Sequence, residues 1–509
     1  MVVSSQPVGP EPRPDDARIL WDVVEEHFDE AEFLFQQWGT LLDSPLYRAD
    51  ELADGPEERL RAHLDGLAVG GQQVVDRVVW PILEGVEGVE GDTDAPDRIS
   101  TAVLAVAQLS TPRWVDAIIE RTGTDDDAIR RAALAAGLVA TDRPDVSSKV
   151  AAALERTPDA PGRAQWLQVL ASRGAIPGAA VGALVDDPDP QVRAAAIRVA
   201  RFASRAVGLG AAETRLTDAD PQVALAAVEV GLILGSHAAW SLATQWATAS
   251  GVEPRVRRAA MVWVAMLGER AQADALVARL EDAATRGDAL WALGFSGRPT
   301  AADGVLAWLD DEEFGPLAAE AFAAITGLDP RADLYWVDPV EPEDDEDDED
   351  DEDDDGPQDL EREATAAVAA AEDDDDDDDD DVPAADAGAD EDISFEDDDL
   401  DADLVPPPEE DLPIPNTAEI RAWWQANRTR FDPQRRYLAG QVAHGSGFAA
   451  ALASVSVRRR HAIAFEIAVR TRGGHHIPTR SLAGLQRPRL QALLSIGQLD
   501  GERPFLRIG

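Results

Sequence analysis

The sequence contains no cysteine. That excludes disulfides, thiolate nucleophiles and cysteine-ligated zinc, and it favours a reducing compartment. Lysine occurs once, at Lys149, so the cationic side chains are almost all arginine. No stretch holds eighteen uninterrupted apolar residues, which excludes an ordinary membrane-spanning helix. The opening MVVSSQPVGPEPRPDD has no basic-then-apolar leader, so a soluble cytoplasmic protein is expected. A phosphate-cradling glycine loop and a dinucleotide fingerprint are missing too, and no cofactor is expected.

Charge is abundant but unevenly placed. The net charge is −54. Between Glu341 and Asp411 there are 40 acidic residues against the single Arg362. From Leu412 onward, 15 arginines face Glu419, Asp432, Glu466, Asp500 and Glu502, which leaves +10. Residues 1–340 carry the remaining −25. The acidic run includes the unbroken Asp373–Asp381 and has too few apolar residues to fold alone. It reads as an extended linker, with two sharper alternatives: contact with the basic C-terminal part, or competition with nucleic acid for a basic partner. The spacing and glycine of an EF-hand are absent from it.

The rest of the chain is built on a recurring pattern. DPDPQVRAAA at Asp187–Ala196 is followed by DADPQVALAA at Asp218–Ala227. Related stretches lie at Asp97–Leu109, Asp125–Leu134, Ala160–Leu170, Glu253–Gly268, Thr285–Gly297 and Phe314–Gly327. Their anchors, near residues 98, 129, 162, 192, 223, 256, 286 and 317, recur about every 31 residues. Aspartate caps the free N–H groups of a helix start, and proline at the first position loses no hydrogen bond. Val192, Ala195, Ala196 and Val199 then recur at helical spacing and mark a buried face. One helix pair, such as Ala179–Asp187 with the helix after it, cannot bury its own face. Neighbours therefore stack, and the stack becomes the core.

The expected fold is all-α: an α-solenoid of about eight repeats over 93–338. A helical cap at 17–92 precedes it, after a disordered N-terminus at 1–16. An acidic disordered linker at 339–415 and a small arginine-rich helical module at 416–509 follow. In the cap, Leu20, Val24, Phe28, Ala31, Leu34 or Phe35, Trp38 and Leu42 share one helix face. A second cap helix is expected over Pro56–Val79, with Gly70 and Gly71 as its weak point. In the C-terminal module a helix starts at Asn416 or Thr417, and Glu419 is placed to close a capping box.

Asp189 to Ala196 resembles the short bacterial HEAT-like repeat, with its D-x-x-V-R signature. Arg130 and Arg257 stand at the arginine position of that signature, and Ala224 replaces it in one repeat. The resemblance implies a structural role for this arginine, joining repeats through capping or aspartate contacts. Ile19–Phe35, Arg59–Gly71, Arg436–Gln441 and Arg458–Val469 resemble an uncharacterised bacterial family of HEAT-repeat proteins. Some of its members are encoded near type VI secretion clusters, which implies an accessory or scaffold role.

Few residues invite chemistry. His475 and His476 sit in a glycine turn with no carboxylate at ligand spacing, so a solvated loop is expected and no metal. His444–Gly447, HGSG, lacks the first glycine of a nucleophile elbow. His27 and Glu30 share a helix face and read as a salt-linked pair. HEAT-like hydroxylases need several His-Glu pairs, whereas His237 is the one histidine between residues 97 and 330. No catalytic residue is therefore expected. The expected function is a non-enzymatic protein-binding scaffold, with Trp240, Trp246, Trp263 and Trp291 as candidate anchors. Trp423, Trp424, Arg435, Arg436, Arg458, Arg459 and Arg460 form a candidate C-terminal interaction patch. Nucleic-acid binding through that patch, regulated by the acidic linker, is the alternative.

Overall fold

In a computed structural model of the protein, the described residues are 19–85, 95–108, 112–175, 181–329, 331–332, 334–337, 412–496 and 499–508. The expected disordered N-terminus and the linker up to Asp411 lie outside them. The described chain is mostly helical. The cap contains α1 (Trp21–Leu41), α2 (Ala49–Asp54), α3 (Pro56–Val69), α4 (Gly71–Val74) and α5 (Trp80–Glu84). A row of longer helices follows: α6 (Pro96–Gln108), α8 (Ala128–Ala140), α10 (Ala160–Ser172), α12 (Pro190–Ala200), α14 (Pro221–Leu234), α16 (Pro254–Leu267), α18 (Arg286–Ser296) and α20 (Gly315–Thr326). Between them lie α7 (Pro112–Thr124), α9 (Val146–Leu154), α11 (Val181–Leu184), α13 (Arg205–Glu213), α15 (His237–Trp246), α17 (Arg270–Ala278) and α19 (Pro299–Val305). The C-terminal part holds α21 (Thr417–Asn427), α22 (Ser446–Ser454), α23 (Val457–Arg470) and α24 (Ala483–Leu494).

Every sequence anchor falls in an even-numbered helix of α6 to α20, and the local chemistry accounts for the starts. The carboxylates of Asp127, Asp159, Asp189, Asp220 and Glu253 accept hydrogen bonds from backbone N–H groups of the first turn. Prolines open α12, α14 and α16 at a position where no N–H partner is lost. The even-numbered helices pack side by side, α6 on α8, α10 on α12, α12 on α14, α16 on α18 and α18 on α20. Val192, Ala195, Ala196 and Val199 are all buried. The alanines let neighbouring helices approach closely, so burial continues along the row as one apolar cluster.

Arginine joins successive helices of the row. Arg193 holds Asp218 with two hydrogen bonds, 2.9 and 3.2 Å, and also donates to the carbonyls of Asp187 and Pro188. Arg163 reaches Asp187 at 3.0 Å, and Arg257 with Arg258 clamps Asp288. Arg130 breaks the pattern: it turns back to its own Asp125 and to the Ile82 and Leu83 carbonyls at the end of α5.

In the cap, α1 buries Val24, Phe28, Ala31, Leu34, Phe35 and Trp38. Leu20, expected on that face, is 62% exposed because it stands before the helix begins. The second cap helix stops at Gly70, and Gly71 takes φ +58°, a left-handed turn open to glycine. The cap also meets the far end of the row. Arg48 pairs with Asp329 at 3.4 Å, and Arg331 pairs with Glu51.

Two short ribbons complete the fold. Strand β1 (Trp336–Val337) pairs antiparallel with β2 (Ile414–Pro415), Trp336 opposite Pro415 and Val337 opposite Ile414. Strand β3 (Tyr437–Leu438) pairs with β4 (Gln441–Val442) through a tight turn at Ala439 and Gly440, both at positive φ. The C-terminal part is not a separate body. Its described residues form one compact unit with the residues before Pro339.

The first ribbon changes the reading of the acidic segment. The chain leaves at Val337 and returns beside it at Ile414, so the residues between do not set the distance between the row and the C-terminal part. Replacing 339–411 with a short flexible turn is expected to leave the melting temperature unchanged within about 2 °C, checked by thermal unfolding followed by circular dichroism. A drop of about 10 °C or more would contradict this.

Candidate protein-binding face

The candidate site is the face of the row that meets the C-terminal part. It is built by α14, α16, α18 and α20 on one side and by α21, the β3–β4 turn and α23 on the other. Helix α23 is buried nearly all round, yet it carries Arg458, Arg459, Arg460, Glu466 and Arg470 on that buried surface. Each of these charges has partners.

Two carboxylates organise the contact. Glu320, in the apolar α20, accepts both Nε and Nη2 of Arg458, at 2.9 and 2.7 Å, and Nη2 of Arg459 at 3.0 Å. Burial alone would raise its pKa, but the two guanidinium groups outweigh that and hold Glu320 at about 2. Glu466 of α23 lies between Arg436 and Arg470, with contacts of 2.6 Å from each. Burial opposes its charge too, and the same two arginines keep it below the usual carboxylate range.

Arg436 is the most fully engaged side chain of this face. Its five N–H donors reach Glu466, the Gly501 carbonyl and the Phe295 and Ser296 carbonyls at the end of α18. Arg470 donates to Met266 O at the end of α16, as well as to Glu466. The tight turn serves α20 in the same way: Ala439 N donates to Ala324 O at 2.7 Å and Gly440 N to Ile325 O at 3.0 Å. Tyr437 N donates to Gly297 O at 2.7 Å. This close fit needs glycine. A Cβ on Gly297 would lie 2.5 Å from the Tyr437 carbonyl oxygen, and one on Gly327 would lie 2.5 Å from that of Ala439.

Three of the four expected anchors are covered by the C-terminal part of the chain. Trp240 stacks on Phe505 with ring centroids 5.1 Å apart, and Trp263 on Phe465 at 5.9 Å. Trp291 lies under Arg458 and Arg459, at 4.8 and 4.5 Å. Trp246 is half-buried against the core. The expected C-terminal patch is also mostly internal. Arg436, Arg458, Arg459, Arg460 and Trp424 are buried, Trp423 is half-buried, and Arg435 is exposed. The physical reason is that each buried guanidinium finds a carboxylate, an amide oxygen or a helix-end carbonyl inside the fold. Arg460 donates to Leu452 O and Gln486 Oε1, and burial pulls its pKa down to about 10. Trp424 and Trp423 join Phe322, Phe431 and Tyr437 in an aromatic cluster, and Trp424 Nε1 donates to Asp303 at 2.8 Å.

The histidines take other places than expected. His27 Nδ1 meets His63 Nδ1 at 3.1 Å, while Glu30 faces Arg59 at 3.8 Å, so the expected His27–Glu30 pair is not formed. His476 packs edge-on to Phe202, and burial together with Arg201 pushes it down to about 3. Among the described residues, no group of three or more His, Cys, Asp or Glu is arranged to hold a metal, and no helix is long and apolar enough to cross a membrane. Glu320, Glu466, Asp303, Asp310 and Asp43 were not singled out from the sequence. A lone carboxylate in an apolar helix, as in PLAAEAFAAIT and AIAFEIAV, is the signal that marks the first two, because such a charge is buried only when paired.

No family model matches the chain, and no curated protein matches it. Among solved structures it is similar to a crystallised engineered protein at 14% identity, over 59% of this chain and 98% of that one, with a TM-score of 0.25. A likeness that low carries no argument about fold or function.

The Glu320 clamp has a pH signature. Its folded-state pKa of about 2 lies below the ordinary glutamate value of 4.5. The stabilisation from this shift is therefore complete above about pH 4.5 and is lost as pH falls through about 2. Glu320→Gln is expected to destabilise the protein by about 3 kcal/mol at pH 7 and to flatten the loss of stability between pH 4.5 and 2. Urea titrations across that range check both. A variant with wild-type pH dependence would contradict the assignment.

Proposed function

We propose that the chain is a non-enzymatic protein-binding scaffold, built as a HEAT-like α-solenoid of about eight repeats. Helix starts at 96, 128, 160, 190, 221, 254, 286 and 315, with arginine–aspartate contacts between successive members, support the repeat reading. One observation carries the function. The face of the row holds a helix of different character, α23, through an ion pair, stacked aromatics and capped helix ends. Those are the contact types that dominate recognition between proteins. The family resemblance extends the proposal to a cytoplasmic accessory role in a secretion system. The nucleic-acid alternative draws no support from the arginines singled out for it, because four of those five are engaged inside the fold.

Affinity capture of the full chain from its native host, beside a form lacking 341–411, tests the reading. The expected result is a stoichiometric protein partner retained in high salt. Recovery of nucleic acid alone, released by salt, would overturn it.

A further inference from the structure

We propose that the face around Glu320 is a recognition site for a helix bearing two adjacent arginines, and that the chain keeps this site closed with its own α23. The proposal rests on the scaffold reading and adds the chemistry of the partner. Glu320 is only 7% exposed, and both of its oxygens are taken by Arg458 and Arg459. Trp291 and Phe295 lie beneath the same guanidinium groups, Arg459 being 4.5 Å from the first ring and 4.8 Å from the second. A carboxylate above an aromatic floor selects arginine over lysine, because a planar guanidinium pairs along its edge and stacks on its face at once.

The composition of α23 points the same way. A helix buried nearly all round is ordinarily apolar all round. This one has five charged residues among its twelve buried positions. Apolar packing would join the two parts with a smaller desolvation cost, since buried ion pairs return little net stability but specify their partner. Arginine and tryptophan, which meet here, are the residues that dominate interfaces between separate proteins. The seat thus has the makeup of an interface, although both sides belong to one chain.

Connection explains why the seat is filled. The chain re-enters the fold at Ile414, paired with Val337, so α23 is presented from the same molecule. Short-range tethering of this kind gives effective concentrations in about the millimolar range, which a free helix at micromolar concentration does not overcome. Opening therefore requires a partner that supplies the arginine pair together with further contacts; a cut between 339 and 411 removes the tether and leaves the contact itself in place.

The test uses the full chain with one protease site placed within 339–411 and cut after purification. The two pieces are expected to stay together. When cut unlabelled protein is mixed with cut isotopically labelled protein, native mass spectrometry should show C-terminal pieces exchanging between molecules. Uncut chains should exchange nothing. In the same competition, C-terminal pieces carrying Arg458→Ala and Arg459→Ala should be taken up at least about 30-fold less than wild type. Pieces with Arg458→Lys and Arg459→Lys keep both charges and guard against a variant that fails to fold. They should be taken up about tenfold less. Pieces that part on cutting alone, wild-type pieces that never exchange, or lysine pieces taken up as readily as wild type would each overturn the proposal. The exchange needs no outside partner, so its outcome is independent of whether affinity capture finds one.

Discussion

Every α-helix ends with four carbonyl groups that have no partner inside the helix, and a buried end must find donors elsewhere. In this protein that requirement is met repeatedly by arginine. Arg143 donates to Ala107 O at the end of α6, Arg173 to Leu138 O and Val139 O in α8, and Arg205 to Leu234 O in α14. Each donor comes from the row itself, and a cation at a helix C-terminus also suits the helix dipole. For α16, α18 and α20 the donors come from the C-terminal part instead: Arg470, Arg436 and the N–H groups of Tyr437, Ala439 and Gly440. The later half of the row and the C-terminal part are therefore complementary.

That complementarity organises the charges. Buried guanidinium groups would be costly cations if left alone; Glu466 is shared by Arg436 and Arg470, which reach helix ends, and Glu320 is shared by Arg458 and Arg459. The arrangement extends to the cap. Arg480 holds Asp43 with two bonds of 2.8 Å, Glu57 accepts the first N–H of α24, and Tyr47 O accepts Val457 N. Burial raises the pKa of Glu57, partly offset by its bonds from Ala483 and Trp38. Many of the arginines behind the +10 of the C-terminal sequence are thus engaged at internal contacts.

The helices of the row were legible because their determinants are local. Asp-Pro starts, apolar spacing and a glycine after α14 or α18 lie within a few residues of what they decide. The helical nature of the C-terminal part was legible for the same reason. Its docking was not. Arg436 meets Phe295 O and Glu466, residues 141 and 30 positions away, and nothing in RRYLAG marks that guanidinium as internal. Clusters of arginine ordinarily face solvent, so Arg458 to Arg460 read as a surface patch. Trp240, Trp246, Trp263 and Trp291 read as anchors for a partner; three of them are instead covered by Phe505, Phe465 and the arginine pair of the same chain. The lone glutamates of α20 and α23 were the clue to that pairing.

The claim that the C-terminal part completes the helix ends is tested most directly by hydrogen exchange on Arg436→Leu in the full chain. The account predicts faster exchange in the last turn of α18, Leu293 to Ser296, while the last turn of α8, capped by Arg173, stays as protected as in the wild type. Unchanged protection at α18, or an equal loss at both helix ends, would contradict it.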